Sequence, residues 1–300
     1  CSSDLAGFTI GNKGYICGGY NGKTTRLADT WEYDIDNDWW TQRADMPGTV
    51  RNAATGFPVG NKGYITTGYN PDQKYLADTW EYDPETNTWR QMDDFKGGAR
   101  YYALGFGIDN YGYVGTGYND NYLKDFYRFD PTAAAGSQWT IVNGFGGQKR
   151  QGGTAFVIDG KAYVCGGQNN NSDVSDFWRF DPSAATPWTQ LRDIANTSDD
   201  DYDDDYTSIV RSYGVSFVID GKAYLTLGST AGGSYYSNYW IYDPETDLWE
   251  GDDLTAFEGS TRIHAVCFST GTRGIIATGG SGSSSYFDDT WELKPYEYEE

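Results

Sequence analysis

The 300 residues carry 43 acidic and 22 basic side chains, for a formal charge of −21 and a pI near 4.2. A surface this negative excludes nucleic-acid binding and adsorption to an anionic bilayer, both of which need a basic face. No apolar run reaches the length of a membrane-spanning helix, and the 17% share of Phe, Trp and Tyr suits half-buried sheets stacked face to face.

The first predicted strand runs from Ala6 to Ile10, and the unit it opens is clearest in the next copy. There Arg51 precedes a short apolar run through Phe57, a Gly60-Asn61-Lys62-Gly63 turn and the run Tyr64 to Gly68. A polar loop leads to Trp80-Glu81-Tyr82-Asp83, and a second turn at Pro84-Glu85-Thr86-Asn87 leads to Trp89. Alternating runs bounded by turn residues predict four short antiparallel strands.

The glycine ending the second strand recurs as Gly19, Gly68, Gly117, Gly167, Gly228 and Gly279, at spacings of 49, 49, 50, 61 and 51. In step with it recur Phe8, Phe57, Phe106, Phe156, Phe217 and Phe268, and the fourth-strand residues Trp40, Trp89, Trp139, Trp188 and Trp249. Arg51, Arg100, Arg150, Arg211 and Arg262 form a further series, with Ser2 at that register in the first copy. A unit of about fifty residues cannot bury both faces alone, so the copies must stack, and the compact solution is radial. The expected fold is all-β: one six-bladed β-propeller of four-stranded antiparallel blades filling residues 1–300. The blades fall at about 1–48, 49–97, 98–147, 148–198, 209–258 and 259–300, with an acidic insertion at 199–208.

Small residues at alternate first-strand positions, such as Gly7, Gly56, Gly105 and Ala155, place these strands around a narrow axis. The insertion contains six carboxylates in the seven residues from Asp199 to Asp205. Tyr206 stands where a calcium loop of the EF-hand kind needs glycine, so a solvated acidic loop is expected. Blade 6 runs out after its third strand, and the tail Pro295 to Glu300 is expected to supply a short fourth strand unless the blade has three. Cys17 and Cys165 occupy equivalent strands on opposite sides of a six-fold ring and cannot pair. Cys267 lies in the blade beside Cys17, but buried free thiols are expected.

The glycine doublets Gly18-Gly19 and Gly166-Gly167, the preceding Tyr residues, the Tyr-Asp-Pro and Phe-Asp-Pro corners and the spaced Trp residues resemble kelch repeats. The chain is similar to bacterial kelch lipoproteins of the Bacteroidota type and, more distantly, to the galactose-oxidase central domain and N-acetylneuraminate epimerase. Cys1-Ser2-Ser3-Asp4 resembles a lipoprotein start after signal-peptide removal, with Cys1 as the lipidated residue and the cell envelope (outer membrane or periplasm) as the implied location.

The resemblance places ligands at the loops around the arginines and just after the marker glycines. There the copies differ: Asn52, Tyr101-Tyr102, Gln151, Tyr213 and His264 on one set, Tyr69-Asn70, Tyr118-Asn119 and Gln168 on the other. Aromatic faces beside amides suit sugar rings, which have apolar faces and hydroxyl edges. The Tyr-Asn pairs recur in three copies and equally suit a loop-shaping role. The arginines could form an anion-binding ring, but repetition in five blades favours a structural role that ties neighbouring blades through backbone carbonyls. His264 is the only histidine, which excludes the copper chemistry of galactose oxidase. No zinc motif, phosphate loop or nucleophile elbow is present, so no metal, cofactor or catalytic residue is assigned. The expected function is binding of a glycan or small polar ligand. The alternatives are a sugar-acid epimerase or mutarotase, with His264 as base and an arginine as carboxylate anchor, and a protein-binding scaffold.

Overall fold

The computed structural model describes residues 3–22, 24–251, 255–282 and 285–295. Five sheets have four strands in the order first, second, third, fourth, and blade 6 has three among the described residues. The second blade is representative: Thr55–Val59 pairs with Lys62–Thr66, which pairs with Thr79–Asp83, which pairs with Thr88–Met92, all antiparallel. Consecutive first strands touch one another, and that of blade 6 touches that of blade 1, so the first strands form a closed circle at the axis. The one helical turn among the described residues is Asp201–Asp203 in the insertion, and no helix there is long and apolar enough to cross a membrane.

Crowding at the axis sets the small residues. A Cβ on Gly56 would overlap the backbone of Gly7 in the neighbouring blade, and a side chain there would force the ring open. Farther out, in blades 1 to 5 the first-strand Phe stacks on the second-strand Tyr opposite it, as in Phe57–Tyr64 at 5.5 Å and Phe156–Tyr163 at 5.2 Å between ring centres, and in blade 6 Phe268 faces Ile275. The same Phe ring lies over a small residue of the next blade: Phe8 covers Gly63 and Phe57 covers Gly112. The series therefore glues blade to blade, and Trp139, Trp188 and Trp249 close the far side of the same clusters.

The arginines divide their bonds. The Arg51 guanidinium stays within blade 2, donating to the Thr67 carbonyl at 3.0 Å and to the Asp78 carboxylate at 2.8 Å. Its backbone joins blade 1, where the Arg51 carbonyl accepts from Gly19 N–H at 2.8 Å. Arg100 with Asp125, Arg150 with Asp176 and Arg262 with Asp289 repeat the pattern, and Arg211 pairs with the neutral Asn238. The side chains thus bond their own blade rather than the neighbour, and the main chain makes the junction. All five arginines are 0–1% exposed. Without a carboxylate beside it, burial pulls Arg211 down to about 10.

The insertion is not a uniformly solvated loop. Asp203 is fully buried and accepts the Thr197 and Ser198 amides, each at 2.9 Å. Burial pushes its pKa up, but these amide bonds outweigh that and hold it below the usual carboxylate range. Tyr206 packs in the core cluster between blades 4 and 5, and its hydroxyl accepts the Trp249 amide at 2.7 Å. Among the described residues no group of three metal-ligating side chains exists.

Blade 6 closes on blade 1 by packing: Phe268 lies against Tyr33 and Trp40, Trp40 donates to the Thr290 hydroxyl at 3.2 Å, and Arg273 donates to the Ile35 carbonyl at 2.9 Å. The expected tail strand falls mostly on residues 296–300, which lie outside the described residues, as does Cys1. Cys17, Cys165 and Cys267 are free thiols, and burial pushes Cys17 and Cys165 up to about 12.

Asp176, itself nearly buried, is the strictest test of the arginine clamp. Replacing Asp176 by Ala leaves Arg150 charged and unpaired, and urea unfolding should show a loss of about 3–5 kcal/mol. Asp176→Asn, which copies the arrangement of blade 5, should recover part of it.

Candidate functional site at the axial rim

The two variable loop sets meet. The residue after each arginine pairs with the residue after the marker glycine of its own blade: Asn52 with Tyr69, Tyr101 with Tyr118, Gln151 with Gln168, Ser212 with Ser229 and Ile263 with Gly280. Ser3 and Tyr20 make the same bridge in blade 1. One residue further along, two positions before each first strand, stand Asp4, Ala53, Tyr102, Gly152, Tyr213 and His264.

These six residues form a ring around the axis. Ala53 N–H donates to the Asp4 carbonyl at 2.8 Å, Tyr102 to Ala53 at 3.0 Å, Gly152 to Tyr102 at 3.3 Å and Tyr213 to Gly152 at 2.8 Å. His264 then donates to Tyr213 at 3.3 Å, and Asp4 to His264 at 3.4 Å, which closes the circuit. All six have φ between 51° and 61°, the left-handed region. Five are not glycine, and their strain is maintained by the ring.

Their side chains fill the mouth of the channel. The Asp4 carboxylate accepts the Tyr102 hydroxyl and the Ser3 hydroxyl at 2.7 Å, and His264 Nδ1 lies 3.0 Å from it. The imidazole stacks on Tyr102 at 5.1 Å and leans on Tyr213 at 4.4 Å. Burial lowers the His264 pKa, with the Asp4 charge opposing it, which favours the neutral imidazole. Burial, and secondly the Asp4 charge, pushes the Tyr102 phenol well above its ordinary value. The Tyr213 hydroxyl receives Gln151 Nε2 at 2.8 Å and Gln168 Nε2 at 2.6 Å.

Around this plug the rim has two unlike halves. Over blades 2 and 3 Tyr101 contacts Tyr69, Tyr75 and Tyr118, each at 5.7 Å between ring centres, and Tyr118 leads on to Tyr122 at 5.0 Å. Tyr75 is nearly parallel to Tyr101 at 5°. The cluster continues through Arg26, stacked over Tyr69 at 5.6 Å and Tyr20 at 4.5 Å, to Tyr286. Blades 4 and 5 present Gln151, Gln168, Ser212 and Ser229 instead.

Several expected ligand residues have other duties. Asn70 is buried; its Nδ2 donates to the Val50 carbonyl at 2.8 Å and its Oδ1 accepts the Asp72 amide at 2.9 Å, so it shapes its loop. Asn119 sits in a tight turn closed by its N–H to the Asn121 carbonyl at 3.1 Å. Asn52 accepts from Arg26 Nε at 2.9 Å and fixes that guanidinium. The five series arginines, being buried, offer no anion ring at this surface. The sequence reading missed Asp4, Tyr75 and Tyr122. Asp4 was detectable, because it stands two residues after Ser2, the blade 1 position in the arginine register.

A six-bladed propeller with a plugged axis and a tyrosine-rich rim defines the class of protein by fold. Sequence comparison supplies the family: a KLHDC2/KLHL20/DRC7 Kelch-repeats domain model matches residues 3–146 and a Kelch motif model matches residues 149–191. The repeats matched over residues 3–146 and 149–191 are kelch repeats, and the fold is that of a six-bladed β-propeller. No curated protein matches it in sequence. Among solved structures it is similar to YjhT, with a TM-score of 0.77 at 15% identity, covering 96% of this chain and 93% of that one, a likeness of fold.

The neutral state of His264 has a measurable consequence. A histidine held below its ordinary pKa takes up its proton more readily in the unfolded chain, so its contribution is complete above pH ~6.5 and is lost as pH falls through that value. Unfolding free energy measured between pH 7.5 and 5 should therefore decline in the native protein, and the decline should be shallower in His264→Asn.

Proposed function

We propose that the protein is a binding module whose axial rim holds a glycan. The observation that carries this reading is the contiguous platform Tyr69, Tyr75, Tyr101, Tyr118 and Tyr122, flanked by the amides of Gln151 and Gln168. Ring faces bury the apolar side of a pyranose while amides bond its hydroxyl edge. The test is a glycan array probed with the purified propeller at low and physiological salt. A hit that survives salt and vanishes in Tyr101→Ala supports the proposal, and silence across the array moves the weight to a protein-binding scaffold. In that case an acidic rim selects a basic partner whose affinity falls as salt rises.

A second reading, anomeric exchange on a sugar acid, is favoured by one observation: His264 Nδ1 stands 3.0 Å from the Asp4 carboxylate, the kind of neighbour a general base uses. Against it stands the burial of every arginine that could anchor a carboxylate, apart from Arg26, which is engaged with two tyrosines and Asn52. Exchange spectroscopy on any sugar the array identifies decides the matter: turnover lost in His264→Ala with binding retained would establish the enzyme.

An extracytoplasmic location with a lipid on Cys1 is a separate proposal, supported by the Cys1-Ser2-Ser3-Asp4 sequence and tested by mass spectrometry of native protein. Asp4 lies on the axis of the tyrosine-bearing rim, so an acyl chain at most ~10 Å away along the chain would turn that rim toward the membrane.

A further inference from the structure

Resting on the glycan reading, we infer that the rim selects an uncharged sugar, and that its terminal pyranose sits where blades 3 and 4 meet, between Tyr101, Tyr118 and Tyr122 on one side and Gln151, Gln168 and Tyr213 on the other.

Placement comes first. The Tyr101–Tyr118 bridge and the Gln151–Gln168 bridge are the same structural element in consecutive blades, so the aromatic half of the rim ends directly beside the amide half. Tyr213 joins them, because its hydroxyl receives both glutamine amides and its ring contacts Tyr102, which in turn contacts Tyr101 at 4.9 Å.

Unused polar capacity points to a ligand at that junction. Gln151 is 9% exposed, and its Oε1 has no hydrogen-bond partner among the described residues. Exchanging the two atoms of the Gln151 amide would only transfer the deficit to its nitrogen. The Tyr213 hydroxyl, already accepting two donors, keeps its own proton to give. A hydroxyl-rich ligand, able to donate and accept at neighbouring atoms, matches this set.

Charge sets the specificity. Asp120 accepts the Tyr75 hydroxyl at 2.7 Å beside Tyr118, Asp4 lies behind Tyr102 on the axis, and among the described residues the one guanidinium over the platform is at its Tyr69 end. Arg26 stands beyond Tyr69, stacked and bonded within its own blade pair. A uronic or sialic carboxylate placed on Tyr118 would stand beside Asp120, and among the described residues no guanidinium lies over Tyr118. It would lose hydration without gaining an ion pair, which biases the site against acidic sugars.

The experiment is titration calorimetry of the full chain with neutral gluco-, galacto- and manno-oligosaccharides and with matched uronic, sialylated and sulfated ones, at low and physiological salt. Neutral sugars should bind with an affinity indifferent to salt, weakened about tenfold or more in Tyr118→Ala and in Gln168→Leu. Gln168→Arg, which adds the missing cation, should gain affinity for the uronic series. Gln168 is half-exposed, so circular dichroism should show both Gln168 variants folded. Preference of the native protein for acidic sugars, or neutral binding untouched by Tyr118→Ala and Gln168→Leu, overturns this inference and leaves the glycan reading standing. Absence of binding to every sugar overturns the reading itself, and this inference with it.

Discussion

A guanidinium removed from water needs a partner, and this chain buries five. Meeting that requirement organises blades 2 to 6. The arginine reaches back to the carbonyl just beyond its own second strand and, except in blade 5 where Asn238 takes the place, to the carboxylate two residues before the third-strand aromatic, as in Asp78 before Trp80 and Asp289 before Trp291. The same carboxylate accepts the indole N–H of that Trp at 2.7–2.8 Å, so cation, anion and aromatic are fixed as one unit. With the side chain locked inside the blade, the arginine backbone is free to bond the preceding blade, and the next two residues are delivered to the rim and to the axis. In blades 2 to 6 the position of each rim residue follows from where its arginine is held.

The fold was legible because its punctuation is repeated. Glycine at the marker position adopts φ between 86° and 110°, and at Gly167 and Gly228 a Cβ would come within 2.7 Å of a backbone carbonyl, so no other residue could stand there six times. The site was legible only in part. Loop variability identified the pairs after each arginine, but nothing in the residue types says that the first of each pair makes the bridge and the second enters the axis. That assignment depends on a backbone ring that draws one residue from every blade. Tyr75 and Tyr122 lie at different distances beyond their markers, so no register pointed to them.

The insertion shows the opposite limit. A run of aspartates reads as uniformly solvated, yet one of them, Asp203, is turned inward to receive two amides, and the segment ends on Tyr206, five residues before Arg211. Phe95, Phe145 and Phe257 stand at the same distance from their own arginines. The extra residues therefore form a bulge between Ile194 and Tyr206, both packed in the cluster between blades 4 and 5, and the core beneath continues without interruption.

The ring of amides on the axis has an electrostatic character of its own. Six N–H to carbonyl bonds that follow one another around a circle form a closed circulation of dipoles, and equal vectors arranged head to tail around a circle sum to nearly zero. Helix ends gather their dipoles into a pole that attracts an ion; this ring cancels them. Its donors and acceptors are also all engaged with one another, so the axis presents neither a positive nor a negative backbone pole to a ligand. The potential felt above the centre of the propeller is then set by side chains alone, and at its centre that means the single carboxylate of Asp4.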